Sequence, residues 1–169
     1  ISTTARTTLR FQSPIEEEFE DLEPVCFCDA DLPSAGKSQM GVLFCVCGPR
    51  GTYCPIECVS KRQGVPSGST PIAGTFGLHF GVKRVLPMVD MVFEEPKCLV
   101  VKGDNKSSGY QFNITHNVCL EGYNRFARIK SGLMAFAKQQ GYVRFVHVRS
   151  ALNPANIMTK QLGGIQHAR

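Results

Sequence analysis

Tryptophan is missing from all 169 residues, so no recognition site here rests on an indole. No apolar run approaches the ~20 residues of a membrane-spanning helix, which excludes an integral helical membrane protein. The 16 glycines and 10 prolines are ordinary for this length and exclude a collagen-like or low-complexity chain. No internal repeat is visible. Acid is absent from the last 48 residues, Gly122 to Arg169, which hold eight Lys and Arg. What is present suffices for a folded body. Hydrophobic residues make up 43% and charged residues 20%, in a length that suits one domain plus a tail.

The charge is unevenly placed. Residues 1–24 carry two basic and six acidic side chains, net −4; residues 25–169 carry 17 basic and eight acidic, net +9. This divides the chain into an acidic N-terminal extension, 1–24, and a basic body, 25–169. An acidic arm of this kind is mobile unless something ties it down, and a partner or the basic body is what would hold it. The basic body points to a polyanionic partner, most simply RNA or another nucleic acid. A solvated basic surface is the plain alternative.

The eight cysteines read as reduced core residues. The polar opening has no apolar signal core, and this length builds a core without disulfide staples. Cys26/Cys28 and Cys45/Cys47 are Cys-x-Cys pairs inside apolar runs, where period-2 geometry puts both sulfurs on one strand face. Zinc sites favour wider spacing at turns. The chain opens on Ile1, which reads as a processed chain or a fragment. Residues 1–14 are rich in Ser and Thr, hold Arg6 and Arg10 and lack acid, as at the end of a mitochondrial presequence.

From Val25 the chain reads as strands: VCFCDA, MGVLFCVCG and TYCPIECVS, linked by short turns as an antiparallel meander. Pro55 favours an edge position for the third. Thr70 is the expected cap of a helix with Pro71 at its first position, and Ile72, Phe76, Phe80, Val82 and Val85 are its buried side. Gly74, Gly77 and Gly81 weaken that helix by about 1 kcal/mol each. KCLVVKGDN is a fourth strand, followed by a short helix, a basic amphipathic helix stopped by Gly141, a fifth strand VRFVHVRS, and a loop with a terminal helix. The order is β-β-β-α-β-α-α-β-α, a mixed sheet with helices packed on it.

Two strands end in acid, Asp29 and Asp104. Side by side, their carboxylates repel unless a divalent cation screens them, and a carboxylate cluster holding two Mg²⁺ ions carries in-line phosphodiester hydrolysis. Acids in the loops after strands are the ordinary reading. DADLPSAGKSQMGVLF, PIECVSKRQ, STP before an apolar helix, GDNKSSG and VRFVHVRSALNPANIMTKQL resemble, in order and spacing, the ribonuclease H domain of copia-type retrotransposon polyproteins. The resemblance runs over roughly residues 25–163. It implies an α/β ribonuclease H-like fold: a five-stranded mixed sheet, its first three strands antiparallel, with flanking helices.

The departures matter more than the match. The family uses four acids, and Asp29 and Asp104 stand for the first and third. No acid lies between Glu57 and Asp90, where the helix Glu belongs, and Asn156 replaces the terminal Asp. Asp31 and Glu57 are the only substitutes to weigh. With half the carboxylates gone, the expectation is a vestigial site at Asp29 and Asp104, no enzyme activity and no cofactor, Mg²⁺ entering only if the remnant still works. A basic surface that once held an RNA–DNA hybrid persists beyond catalysis. Its candidate phosphate contacts are Lys61, Arg62, Lys106, Arg125, Arg128, Lys130 and Arg149, with Arg125 and Arg128 on one helix face. For each alone, a solvated charge is the plain reading. His147 reads as packed or half-exposed, and His79 has no partner that sequence names. The function expected is a structural, RNA-contacting subunit of a larger assembly, such as a mitochondrial ribosome. The rivals are a working Mg²⁺-dependent ribonuclease H and a protein-only accessory subunit of an organellar membrane complex.

Overall fold

A computed structural model describes residues 17–32, 37–113 and 125–160, and the side chains of all of these but 110–113. Cys119 and the opening 1–14 lie outside the described residues; of the terminal helix expected within 153–164, the described part is only a 3-10 turn, Pro154–Met158. The elements run β1 (Glu23–Asp31), β2 (Gln39–Cys47), β3 (Tyr53–Arg62), α1 (Thr70–Val92), β4 (Leu99–Gly103), α2 (Lys106–Asn113), α3 (Arg125–Gln139) and β5 (Val143–His147). Two 3-10 turns follow, Ser150–Leu152 and Pro154–Met158. The sheet order is β3-β2-β1-β4-β5; β1, β2 and β3 are antiparallel, and β4 and β5 run parallel to β1. This is the arrangement the resemblance implies. Pro55 lies in the edge strand β3, beside a register shift at Phe44/Cys45.

The central strands are apolar on both sides because both faces are covered. Cys26, Cys28, Val42, Phe44 and Val101 meet Leu78, Val82, Val85 and Val89 of α1 and Met134 of α3. On the opposite face, Val25, Phe27, Leu43, Cys45 and Val100 meet Ala155 and Met158 of the last turn. Cys26, Cys28 and Cys45 are buried, as core packing expects, with the Cys26 and Cys28 sulfurs 3.5 Å apart; Cys58 and Cys98 are exposed. All seven described cysteines are free thiols.

Helix α1 differs in detail from the sequence reading. Ser69, not Thr70, is its cap: the Ser69 hydroxyl oxygen accepts the Ile72 N–H at 3.4 Å, and Pro71 falls in the first turn. Its apolar positions divide between two faces, since Ile72 and Phe76 pack with Met40 and Ala127 while Val82 and Val85 face the sheet. Gly77 and Gly81 are where the helix touches β1. A Cβ at Gly77 would stand 3.2 Å from both Ala30 Cβ and Asp29 O, and one at Gly81 would strike Cys28 Sγ. Gly141, at φ 76°, ends α3 as expected.

The described end of the acidic segment packs on the body. The Glu17 carboxylate accepts the Arg50 N–H at 2.7 Å, the Thr52 N–H at 3.2 Å and the Thr52 hydroxyl. The Phe19 ring lies 5.2 Å from that of Phe93, and Arg144 donates to Glu23 at 3.0 Å.

Candidate functional site

In the β1–β4 pair Cys28 stands opposite Gly103, so the next residues, Asp29 still within β1 and Asp104 just past β4, lie side by side. The parallel pairing produces this, as two strand ends of the same sense arrive at one edge. Together with Thr70, Gly74 and Leu78 of α1 and with Lys160, the two acids border a cleft of about 280 Å³.

The sequence motifs explain how the cleft is held. Asn105 Oδ1 accepts the Ser108 N–H at 3.0 Å, Asn105 Nδ2 donates to Thr70 O at 3.2 Å, and the Ser108 hydroxyl donates to Pro71 O at 2.9 Å. These bonds fasten the start of α2 to the start of α1 beside Asp104. Asn153 Nδ2 donates to Cys28 O at 3.0 Å while its Oδ1 accepts the Ala155 N–H at 3.2 Å, drawing the last turn onto β1 next to Asp29. Gly41 pairs with Asp29 in the β1–β2 ladder. A Cβ there would stand 2.8 Å from Ala155 O and 2.9 Å from Thr159 Cγ2, so glycine lets the turn close over the strand. The Lys-Ser-x-x-Gly and Asn-Pro-Ala motifs are two halves of one contact.

Asp29 is only 5% exposed. Its Oδ2 accepts the Thr159 hydroxyl and lies 3.3 Å from Lys160 Nζ. The same ammonium donates to Asn156 Oδ1 at 2.8 Å, and Asn156 Nδ2 donates to Ser150 O at 2.5 Å. A protein cation therefore bridges Asp29 and Asn156, the two positions at which the resemblance implies a first and a fourth acid. The helix wall of the cleft is Thr70, Gly74 and Leu78, none of them acidic, and a Cβ at Gly74 would strike the Ser108 hydroxyl. Asp31 also borders the cleft, but no three acidic, His or Cys side chains among the described residues converge on a point that would hold a metal ion. Glu57 is engaged elsewhere, accepting Arg84 Nε at 3.0 Å. This donor set does not fit a magnesium pair: Asp29, Asp31 and Asp104 border the cleft without converging, and the buried one, Asp29, is paired with a lysine beside a neutral amide.

The basic candidates are spread over the body. Lys61 and Arg62 close β3, Lys106 opens α2 one residue past Asn105, Arg125 and Arg128 are exposed on α3, and Arg149 precedes the Ser150–Leu152 turn. Lys61 lies over the Phe80 ring at 5.8 Å and Lys130 over Phe76 at 5.2 Å, which puts these two on the α1–α3 side, away from Asp29. His147 is exposed at the end of β5, and His79 has Lys130 Nζ 3.1 Å from its Nδ1. Sequence reasoning passed over Thr159, Lys160 and Gly74 as site residues. The Thr-Lys of the terminal motif was the available signal for the first two.

No family model matches the chain, and no curated protein does. Solved structures do. The chain resembles the ribonuclease H1 LC11, isolated from compost by a metagenomic approach, at 16% identity and TM-score 0.59, over 81% of this chain and 92% of that one. Ribonuclease H1 of the halophilic archaeon Halobacterium salinarum gives 13% identity and TM-score 0.56, over 81% and 94%. The ribonuclease H domain of prototype foamy virus gives 14% and 0.54, over 88% and 89%. The fold is ribonuclease H-like.

Proposed function

We propose that this chain is a non-catalytic ribonuclease H-like domain of retrotransposon descent that serves as a structural, RNA-contacting subunit of a larger assembly. The observation that carries the reading is the Lys160 ammonium lodged between Asp29 and Asn156. Catalysis through metal requires carboxylates that converge on the cation and offset its charge. Here the chain's own cation neutralises the buried acid, the fourth ligand is an amide, and the helix presents Gly74. The net +9 of residues 25–169 supports contact with RNA, as do two fold relatives solved with RNA/DNA hybrids, LC11 ribonuclease H1 and a foamy viral protease-reverse transcriptase. The Ser/Thr- and Arg-rich opening is the ground for a mitochondrial setting, a ribosome among the candidates.

The test is cleavage of an RNA–DNA hybrid in Mg²⁺ or Mn²⁺ alongside salt-dependent binding of RNA. The expected result is no cleavage beyond an Asp29→Asn control, with RNA affinity that falls as salt rises. Metal-dependent cleavage abolished by Asp29→Asn would overturn the non-catalytic reading, and RNA affinity no greater than that of a neutral protein would overturn the RNA contact.

A further inference from the structure

Helix α1 has two working sides. Gly74 and Leu78 face the cleft at Asp29, whereas Phe76, His79, Phe80 and Lys83, roughly opposite at about 100° per residue, line a separate groove toward α3. Phe126 and Lys130 of α3 complete that groove, and Leu133 and Met134 extend it past His79 and Lys83.

Helix α3 is built with its small residues inward. Ala127, Ser131, Met134 and Ala137 are buried. Phe126, Ile129, Leu133 and Phe136 are 56%, 54%, 54% and 58% exposed. Their spacing of three, four and three is the a/d repeat of a helix that packs against another helix. Large apolar side chains of roughly 150–250 Å² each, more than half bare, leave a stripe of about 400 Å², the size that marks an interaction site. Arg125 and Arg128 flank the stripe on one side and Lys130 on the other, with Lys83 across the groove. Among the described residues no acid lines the groove. Burial, then the Lys130 and Lys83 ammoniums, push His79 down to about 4, so it is neutral at pH 7.

We propose that the outward face of α3 and the α1–α3 groove bind an amphipathic helix of a partner protein, its apolar side on Phe126, Ile129, Leu133 and Phe136 and its flanks acidic. This rests on the reading of the domain as an assembly subunit and names the partner's chemistry. Phe126 and Phe136 offer rings at the two ends of the stripe, but its centre, Ile129 and Leu133, is aliphatic and offers no ring for a base to stack on, which favours a helix over RNA. A parallel second copy of α3 would bring Arg125, Arg128 and Lys130 against themselves, which disfavours parallel self-pairing.

The test uses the full chain and a synthetic peptide of three heptads with Leu at a and d, Glu at e and g and one terminal Trp. The chain has no Trp, so the peptide's emission reports binding without background. The Glu peptide is expected to bind at about micromolar Kd, and a Lys version at least about tenfold more weakly. Leu133→Asp and, separately, Ile129→Asp lower affinity at least about tenfold with the circular dichroism spectrum unchanged, as both side chains are already exposed. Lys130→Gln weakens binding severalfold and flattens its salt dependence. Equal binding of the two peptides, or none, overturns the proposal. So does a single-stranded RNA lost on Lys130→Gln but indifferent to Leu133→Asp, or a dimer of the chain that Leu133→Asp dissolves. Hybrid cleavage by the wild-type chain would sink the non-catalytic reading and leave the peptide result standing.

Discussion

Replacing Lys160 by Met keeps most of the aliphatic stem and deletes the ammonium beside Asp29. At 3.3 Å, with an effective dielectric of about 20, the gross attraction is about 5 kcal/mol. Burying the carboxylate offsets much of that, so the intact pair is worth far less. Breaking it is another matter. The Asp29 side chain is 3% exposed and, among the described residues, would retain only the Thr159 hydroxyl. Truncating one partner of a buried pair costs about 3–5 kcal/mol, and with Lys160 35% exposed solvent reduces this to about 2–3 kcal/mol. Asp29→Asn alone removes the charge that needs a partner and leaves the ammonium near Asn156 and water, for about 1 kcal/mol. The double variant therefore recovers part of the loss. Urea unfolding of the four proteins, followed by far-ultraviolet circular dichroism, should give a coupling of at least about 1.5 kcal/mol that high salt barely changes. A coupling below about 0.5 kcal/mol would refute the claim that Lys160 neutralises the remnant site.

Two further outcomes follow from the packing and the titration. Gly81→Ala gains about 1 kcal/mol of helix propensity but drives its methyl into Cys28 Sγ, so a net loss of about 1–2 kcal/mol is expected in thermal melts, recovered in part by adding Cys28→Ala; a gain in stability would show that the close contact is not limiting. His79 has a folded pKa of about 4 against 6.5 unfolded, so as pH falls the unfolded state takes the proton first. The stability is complete above 6.5 and drains away toward 4. The full linkage of about 3.4 kcal/mol shrinks to about 1–2 kcal/mol because the ring is partly exposed. His79→Gln should flatten the fall in urea midpoint between pH 7 and 4.5, and an unchanged slope would contradict the assignment.

The strands, their order along the chain and the two surviving acids were legible in the sequence because each is a local signal. Apolar runs bounded by Gly, Pro and polar turns specify strands without reference to anything distant, and an acid missing from a motif is missing wherever the motif folds. The amphipathic period of residues 125–139 likewise identified α3 as a helix. Which side of it turns inward was not legible, because hydrophobicity alone assigns Phe126, Ile129, Leu133 and Phe136 to the core. The narrow space beside Met40 and Phe76 admits Ala127 instead. The glycines of α1 read as weak points until the distances showed what they leave room for, β1 at Gly77 and Gly81 and Ser108 at Gly74. Thr159 and Asp29 are 130 residues apart, and the Lys160–Asp29–Asn156 contact exists only because Asn153 and Gly41 bring the last turn onto β1. An ion pair is a matter of ångströms in space, and no periodicity along the chain encodes that.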